Sequence, residues 1–329
     1  MSLQTIPEAS ANSYRTQQRL TAAAVLAARR SWAAVDPDAI DESWAATSPA
    51  LAGVLTRLQG AAAADAAGAV PLALADQGVS VDPIHEIRPR AVAGFAGQGY
   101  EPTTVFQSAP IAAKARIGAG VEPVAALAVG GRLLTGIVET AMADAGRQGA
   151  ALAIHARPKV GYVRMLNPPS CSRCAILAGK PSRREPFLRH PRCDCRAIPS
   201  MEDLYDNVTF NQAEYFGSLT GAEQDRIFTK AGAQAIRDGA DMAQVVNARR
   251  GMSTVQTPGS QRWLVTNEGM TRRGYASWRM QQAGLGEYRK TGGRYRRMQT
   301  QRLMPETIYE VARDQEHASQ LLRMYGYIR

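Results

Sequence analysis

A chain of 329 residues with 45% hydrophobic residues can bury one or more true cores, which excludes a peptide held together only by crosslinks. Aromatic residues make up only 6%, while alanine dominates the first 160 residues, so the composition predicts a mainly α fold of closely packed small-residue helices. The net charge of +10 is unevenly spread: +8 lies between Arg262 and Arg302 and +5 between Cys171 and Ser200, leaving the remainder mildly acidic. That clustering points to a polyanionic or acidic partner for the basic stretches.

In chain order, Tyr14 to Val35 reads as a helix with Leu20, Ala24, Ala27 and Ala28 on one face. Asp36-Pro37-Asp38 stops it and starts a second helix through Trp44, and Ser48-Pro49 starts a third that reaches past Leu58 into Ala61 to Ala67. From Gly78 to Gly120 scattered prolines and glycines predict short helices joined by turns. A long helix is expected from Pro123 to about Ala156, its apolar face formed by Leu127, Leu133, Leu134, Ile137, Val138 and Met142. Gly161 to Leu166 reads as a strand, followed by a rigid turn at Asn167-Pro-Pro-Ser170.

Beyond Ser200, helices are expected over Asn211 to Leu219, over Thr220 to Asp238 with a Thr220/Glu223 capping box, and over Met242 to Arg250. Gly251 reads as a left-handed cap, with Arg249 and Arg250 offsetting the helix dipole. Ser253 to Gly293, polar, basic and interrupted by glycine, reads as a linker that is flexible or ordered by a partner. Trp263 and Trp278 within it are either anchors for a partner or a small core of their own. A last helix is expected over Pro305 to Met324. These elements group into an alanine-rich helical region (1–77), a central region (78–252) and a basic extension (253–329). No apolar run approaches the ~20 residues of a membrane span, and Met1 to Ser13 lacks the basic start and apolar centre of a signal peptide. Synthesis in a reducing cytoplasm and no membrane partner are therefore expected.

All four cysteines and one of the four histidines fall within 25 residues: Cys171-Ser-Arg-Cys174, then His190-Pro-Arg-Cys193-Asp-Cys195. A two-residue spacing lets one tight turn aim both thiolates at a single ion, and an excursion brings back the second pair, which is the pattern of a structural zinc site. The surrounding arginines and lysine favour the deprotonated thiols that a metal requires. The expected ligands are Cys171 and Cys174 with two of His190, Cys193 and Cys195, and the spacing does not choose between them. The expected fold class is thus mainly α with a small α+β zinc knuckle, a short β-hairpin pinned by Zn2+. No histidine or glutamate pair with hydrolase spacing accompanies the cluster, so the metal reads as structural and not catalytic.

The string His190-Pro191-Arg192-Cys193-Asp194-Cys195, an HPxCxC pattern after an upstream CxxC, resembles the hallmark of the phage Mu F protein family of head morphogenesis proteins. The stretches GYVRMLNPPSCSRCAILAGK and RHPRCDCRAIP, and the segment Glu214 to Met252, are similar to the MuF-like minor capsid proteins of actinobacteriophages. The resemblance is firm over about Gly78 to Met252 and looser elsewhere. It implies a low-copy virion protein of the capsid interior near the portal, acting in head assembly or DNA packaging, with portal, scaffold or major capsid protein as partners. Related genes are sometimes fused to a capsid maturation protease. Here Ser80 with His85 and Ser253 with His317 carry no nucleophile-elbow pattern, so no enzyme activity is expected. Protease action, or a free zinc-knuckle nucleic-acid binder, is the alternative. Arg289, Lys290, Arg294, Arg296 and Arg297, with Tyr288 and Tyr295 among them, suit contacts to nucleic-acid phosphates such as packaged DNA, or to an acidic protein surface.

Overall fold

The computed structural model describes residues 6–329 except 167–169, 183, 184, 186, 188, 191, 192, 194, 205–209, 258 and 291–293. The chain is mainly helical with small antiparallel sheets. It divides into two compact units, Met1–Asn167 with Gly179–Phe210, and Pro168–Ala178 with Asn211–Arg329.

The first unit is built on three long helices that pack on one another, α1 (Glu8–Ala33), α2 (Ile40–Ala75) and α5 (Pro123–His155). Two short helices, α3 (Pro102–Phe106) and α4 (Ser108–Gly118), lie in the 78–120 region where short helices were expected. Alanine and glycine set the helix spacing: a methyl group at Gly146 would meet the Gln17 side chain, and one at Gly149 would run into the backbone of Ala63. The few large side chains gather at one end, where Trp32 and Trp44 meet edge to face at 5.1 Å and Trp44 meets Phe106 at 6.3 Å. Trp32 Nε1 donates to the Leu127 carbonyl at 2.9 Å.

Two expectations for these helices fail. The predicted second and third helices are one, because α2 runs through Pro49 and Pro71 without a break. Each proline forfeits one backbone bond, but burial of Trp44, Leu51, Leu55 and Val70 on the same helix offsets that loss. Leu133 does not belong to the apolar face of α5: it is exposed, while Leu134, Val138 and Met142 are fully buried. α2 and α5 are also long and apolar enough to cross a membrane by length and composition, contrary to the sequence reading, since their alanine-rich runs raise the hydropathy. Both helices are partly buried inside this unit.

The expected strand is β1 (Val160–Met165), the centre of a three-stranded antiparallel sheet with β2 (Pro181–Ser182) on one side and β3 (Arg196–Met201) on the other. The β1–β3 register runs from Val160 opposite Met201 to Met165 opposite Arg196. All six residues of β1 are buried, and its side chains divide by the period of two. Val160 and Tyr162 pack with Val70, Leu74 and Ile154 of the long helices, while Val163 and Met165 pack with Ile198, Ile6 and Tyr14. The turn predicted over Asn167-Pro-Pro-Ser170 lies, except for Ser170, outside the described residues.

The second unit holds α6 (Ser172–Leu177), α7 (Gln212–Ser218), α8 (Gly221–Phe228), α9 (Lys230–Arg237) and α10 (Met242–Ala248). The capping box forms, with Thr220 and Glu223 bonding reciprocally. The single helix expected to follow it is interrupted at Thr229, whose φ of 68 separates α8 from α9. Thr229 then caps α9 through its hydroxyl. Gly251 is not a left-handed cap: it closes a 3-10 turn, Arg249–Gly251. Arg249 pairs with Glu306 at 2.7 Å and Arg250 with Glu268 at 2.6 Å, so both act in ion pairs.

The described residues of the linker predicted over 253–293 are folded. They contribute β4 (Met252–Gln256), β5 (Arg262–Thr266), α11 (Tyr275–Gln282) and β6 (Tyr288–Arg289), followed by β7 (Arg297–Met298) and β8 (Arg302–Leu303). β5 lies between β4 and β8, and β6 pairs with β7. Val265, Met270, Met280, Met298 and Leu303 join Ile308, Leu322 and Tyr327 in one core. Trp263 packs partly against it, and Trp278 is exposed. The expected last helix is split into α12 (Pro305–Val311) and α13 (Gln315–Met324), Asp314 capping the second through His317 N at 2.7 Å.

At the centre of this core sits a cation. Arg302 is 1% exposed. Its Nε donates to the Tyr325 carbonyl at 2.8 Å, and its terminal nitrogens donate to the carbonyls of Glu268 and Gly326 and to Gln244 Oε1. Its guanidinium also lies 3.9 Å from the centre of the Tyr327 ring. Every acceptor is neutral, so burial lowers the affinity of this arginine for its proton.

Candidate metal centre

The first cysteine pair is shaped by a helix start. Cys171 has extended backbone and caps α6, its Sγ accepting from the Cys174 backbone N–H at 3.4 Å. One turn therefore carries both thiols, as the two-residue spacing predicts. The α6 segment is tied down by its surroundings. The buried Tyr215 hydroxyl donates to the Ser170 carbonyl at 3.0 Å, the Gln212 amide to the Ile176 carbonyl at 3.4 Å, and the Arg173 guanidinium to the Asn247 side chain. Cys174 is buried and Cys171 half-buried.

The second pair precedes β3. The Cys193 N–H donates to the His190 carbonyl at 3.1 Å. Arg147 of α5 fixes the two cysteines from behind: its Nε donates to the Cys195 carbonyl at 3.0 Å, and a terminal nitrogen donates to the Cys193 carbonyl. Asp144, one turn earlier on α5, accepts from Arg147 at 2.9 Å and is gripped on its other side by Arg189. Phe187 lies under the guanidinium of Arg164 at 3.8 Å. Cys193 and Cys195 are both buried.

The five residues named from the sequence come together. The donor atoms of Cys171, Cys174 and His190 all lie within 4.8 Å of one another, as do those of Cys174, Cys193 and Cys195. Sulfurs on one tetrahedral zinc stand roughly 3.8 Å apart for bonds of about 2.3 Å, so both groups are near the spacing of a shared ion. Cys174 belongs to both groups. No cysteine is in a disulfide, and a set of buried thiols with one imidazole suits a thiophilic ion such as zinc. The arrangement is compatible with a metal site.

Arg289, Lys290, Arg294, Arg296 and Arg297 are all exposed. They belong to the β6–β7 region of the second unit, on a folded platform and not on a tail. The sequence reading missed Arg147 and Asp144. Their signal was a charged pair three residues apart inside a helix otherwise rich in alanine and glycine, and without a partner in the sequence such a pair reads as a solvated face.

No family model matches the chain, and no curated protein or solved structure is significantly similar to it.

Proposed function

We propose that the chain is a minor head protein of a tailed bacteriophage, of the MuF-like kind, with a structural zinc ion in its cysteine knuckle. The observation that carries this reading is the gathering of His190, Cys193 and Cys195, the residues of the HPxCxC string, around the upstream CxxC thiol Cys174. Those are the positions on which the family resemblance rests. Zinc would be held by Cys171, Cys174 and two of His190, Cys193 and Cys195. When bound it supplies a rigid tetrahedral crosslink and neutralises thiolate charge in a local core too small to be stable alone.

In this reading the protein is structural, sits at low copy inside the procapsid near the portal, and contacts portal, scaffold or major capsid protein. Quantitative mass spectrometry of procapsids and virions of the encoding phage, counting this chain against the portal subunit, tests it. A few to a few tens of copies per particle is the expected result. Absence from both particles overturns the reading and favours a free nucleic-acid binder. Cleavage of scaffold or capsid chains on co-expression would instead favour the protease alternative.

A further inference from the structure

We infer that the second unit carries a binding surface for the phosphate backbone of double-stranded DNA, formed where three short segments bring seven exposed cations together. The inference concerns residues 270–290 and 294–298 alone and stands independently of the head-protein reading.

From Gly269 to Arg302 there are nine basic residues and a single acidic one, Glu287. Arg302 is buried as a core residue and Arg279 leans on the Arg323 carbonyl. The other seven, Arg272, Arg273, Arg289, Lys290, Arg294, Arg296 and Arg297, are exposed. None of them forms a salt bridge among the described residues.

The strand register explains their crowding. β7 has β6 on one side, with Arg289 opposite Arg297, and the 270–272 segment on the other, with Thr271 opposite Arg297. The Met298 N–H donates to the Met270 carbonyl at 2.9 Å and the Arg272 N–H to the Arg296 carbonyl at 3.1 Å. Met270 and Met298 are buried, and by the period of two the opposite face carries Arg289 and Arg297 side by side. Directly opposed like charges destabilise a strand pair, and among the described residues no salt bridge reaches Arg289 or Arg297.

Such a cluster gains most from a partner with closely spaced negative charges. Duplex DNA offers one phosphate per ~1.7 Å of axis, denser than a single strand or an acidic loop. Contact would be to the backbone and therefore independent of sequence.

The test is fluorescence anisotropy of the full chain with a labelled duplex of about 20 base pairs across about 50 to 200 mM salt, against the matching single strand and polyglutamate. The expected result is that the duplex binds tightest with steep salt dependence, and that Arg289→Ser/Arg297→Ser weakens binding at least tenfold and lowers the salt slope by about 2. Lys290→Ala/Arg294→Ala changes exposed residues outside the strands, so it reports on binding even if the strand variant misfolds, and it should weaken binding as well. Arg297→Thr alone should hold or raise the melting temperature while weakening binding, because it removes the opposed charge. Equal binding of polyglutamate, tighter binding of the single strand, or unchanged affinity in folded variants would overturn the inference.

Discussion

Arg147, buried in the middle of a helix of alanines and glycines, donates its Nε to the backbone carbonyl of Cys195 at 3.0 Å. A second contact to the Cys193 carbonyl and the bond to Asp144 lock the guanidinium in place. The second half of the cysteine cluster is thereby held by the helical bundle.

Replacing Arg147 should therefore be felt twice. Arg147→Met is expected to lower stability by about 2–4 kcal/mol, the cost of losing charged hydrogen bonds in a buried setting and leaving the Cys193 and Cys195 carbonyls without this donor. It should also weaken metal affinity by roughly 10–100-fold, as loss of outer supports does at other metal sites. Urea unfolding and competition with a calibrated chelator measure the two effects separately. An unchanged metal affinity would deny Arg147 its positioning role.

Close helix packing reverses an ordinary rule at one glycine and not at another. In a helix interior, glycine to alanine stabilises by about 1 kcal/mol. Gly68→Ala, where nothing lies within 4 Å of the added carbon, should show that gain. Gly149→Ala would press on the Ala63 backbone and is expected to cost about 1–3 kcal/mol. Paired thermal melts of the two variants decide the matter by sign alone.

Burial also sets an alkaline limit on the second unit. Desolvation pushes the Tyr327 phenol up to about 12, and the hydroxyl donates to the Leu303 carbonyl at 2.9 Å. Tyr309 is raised too, first by burial and then by its 2.6 Å bond to Asp238. In the unfolded chain a phenol loses its proton near ~10, so above that pH the folded state holds more protons than the unfolded one. Stability from these groups is complete below about 10 and drains away as pH rises toward 12. Urea midpoints should fall over that window, less steeply in Tyr327→Phe, which cannot ionise. Equal slopes in both proteins would refute the assignment to Tyr327.

Much of this architecture could be read in the sequence. The 3.6-residue periodicity located α1 and α5, the Thr220/Glu223 spacing located a helix start, and the cysteine spacing located the cluster. Three things could not be read. Pro49 and Pro71 look like helix ends because the packing that overrides them comes from residues distant in sequence. Thr229 carries no glycine to announce its positive φ, so α8 and α9 read as one helix. The segment from Ser253 to Gly293 looks like a linker because its apolar residues are sparse, and only the fold reveals that Val265, Met270 and Met280 meet Met298 in one core.

The shared position of Cys174 makes the cluster divisible by mutation. Cys174→Ser removes a donor from both groups and should abolish stoichiometric metal binding. Of His190→Gln, Cys193→Ser and Cys195→Ser, one should retain it, and that residue is the neighbour rather than the ligand. Loss of metal in all three would mean that the ion draws on the whole set.

Elemental analysis of the full chain, purified under reducing conditions without added chelator, tests whether the cysteine knuckle holds a metal. About one zinc per chain is expected, with its removal exposing thiols to a chromogenic reagent and loosening the knuckle. A folded, metal-free protein whose four thiols titrate freely, and which takes up no zinc when it is offered, would show that the knuckle is not a metal site.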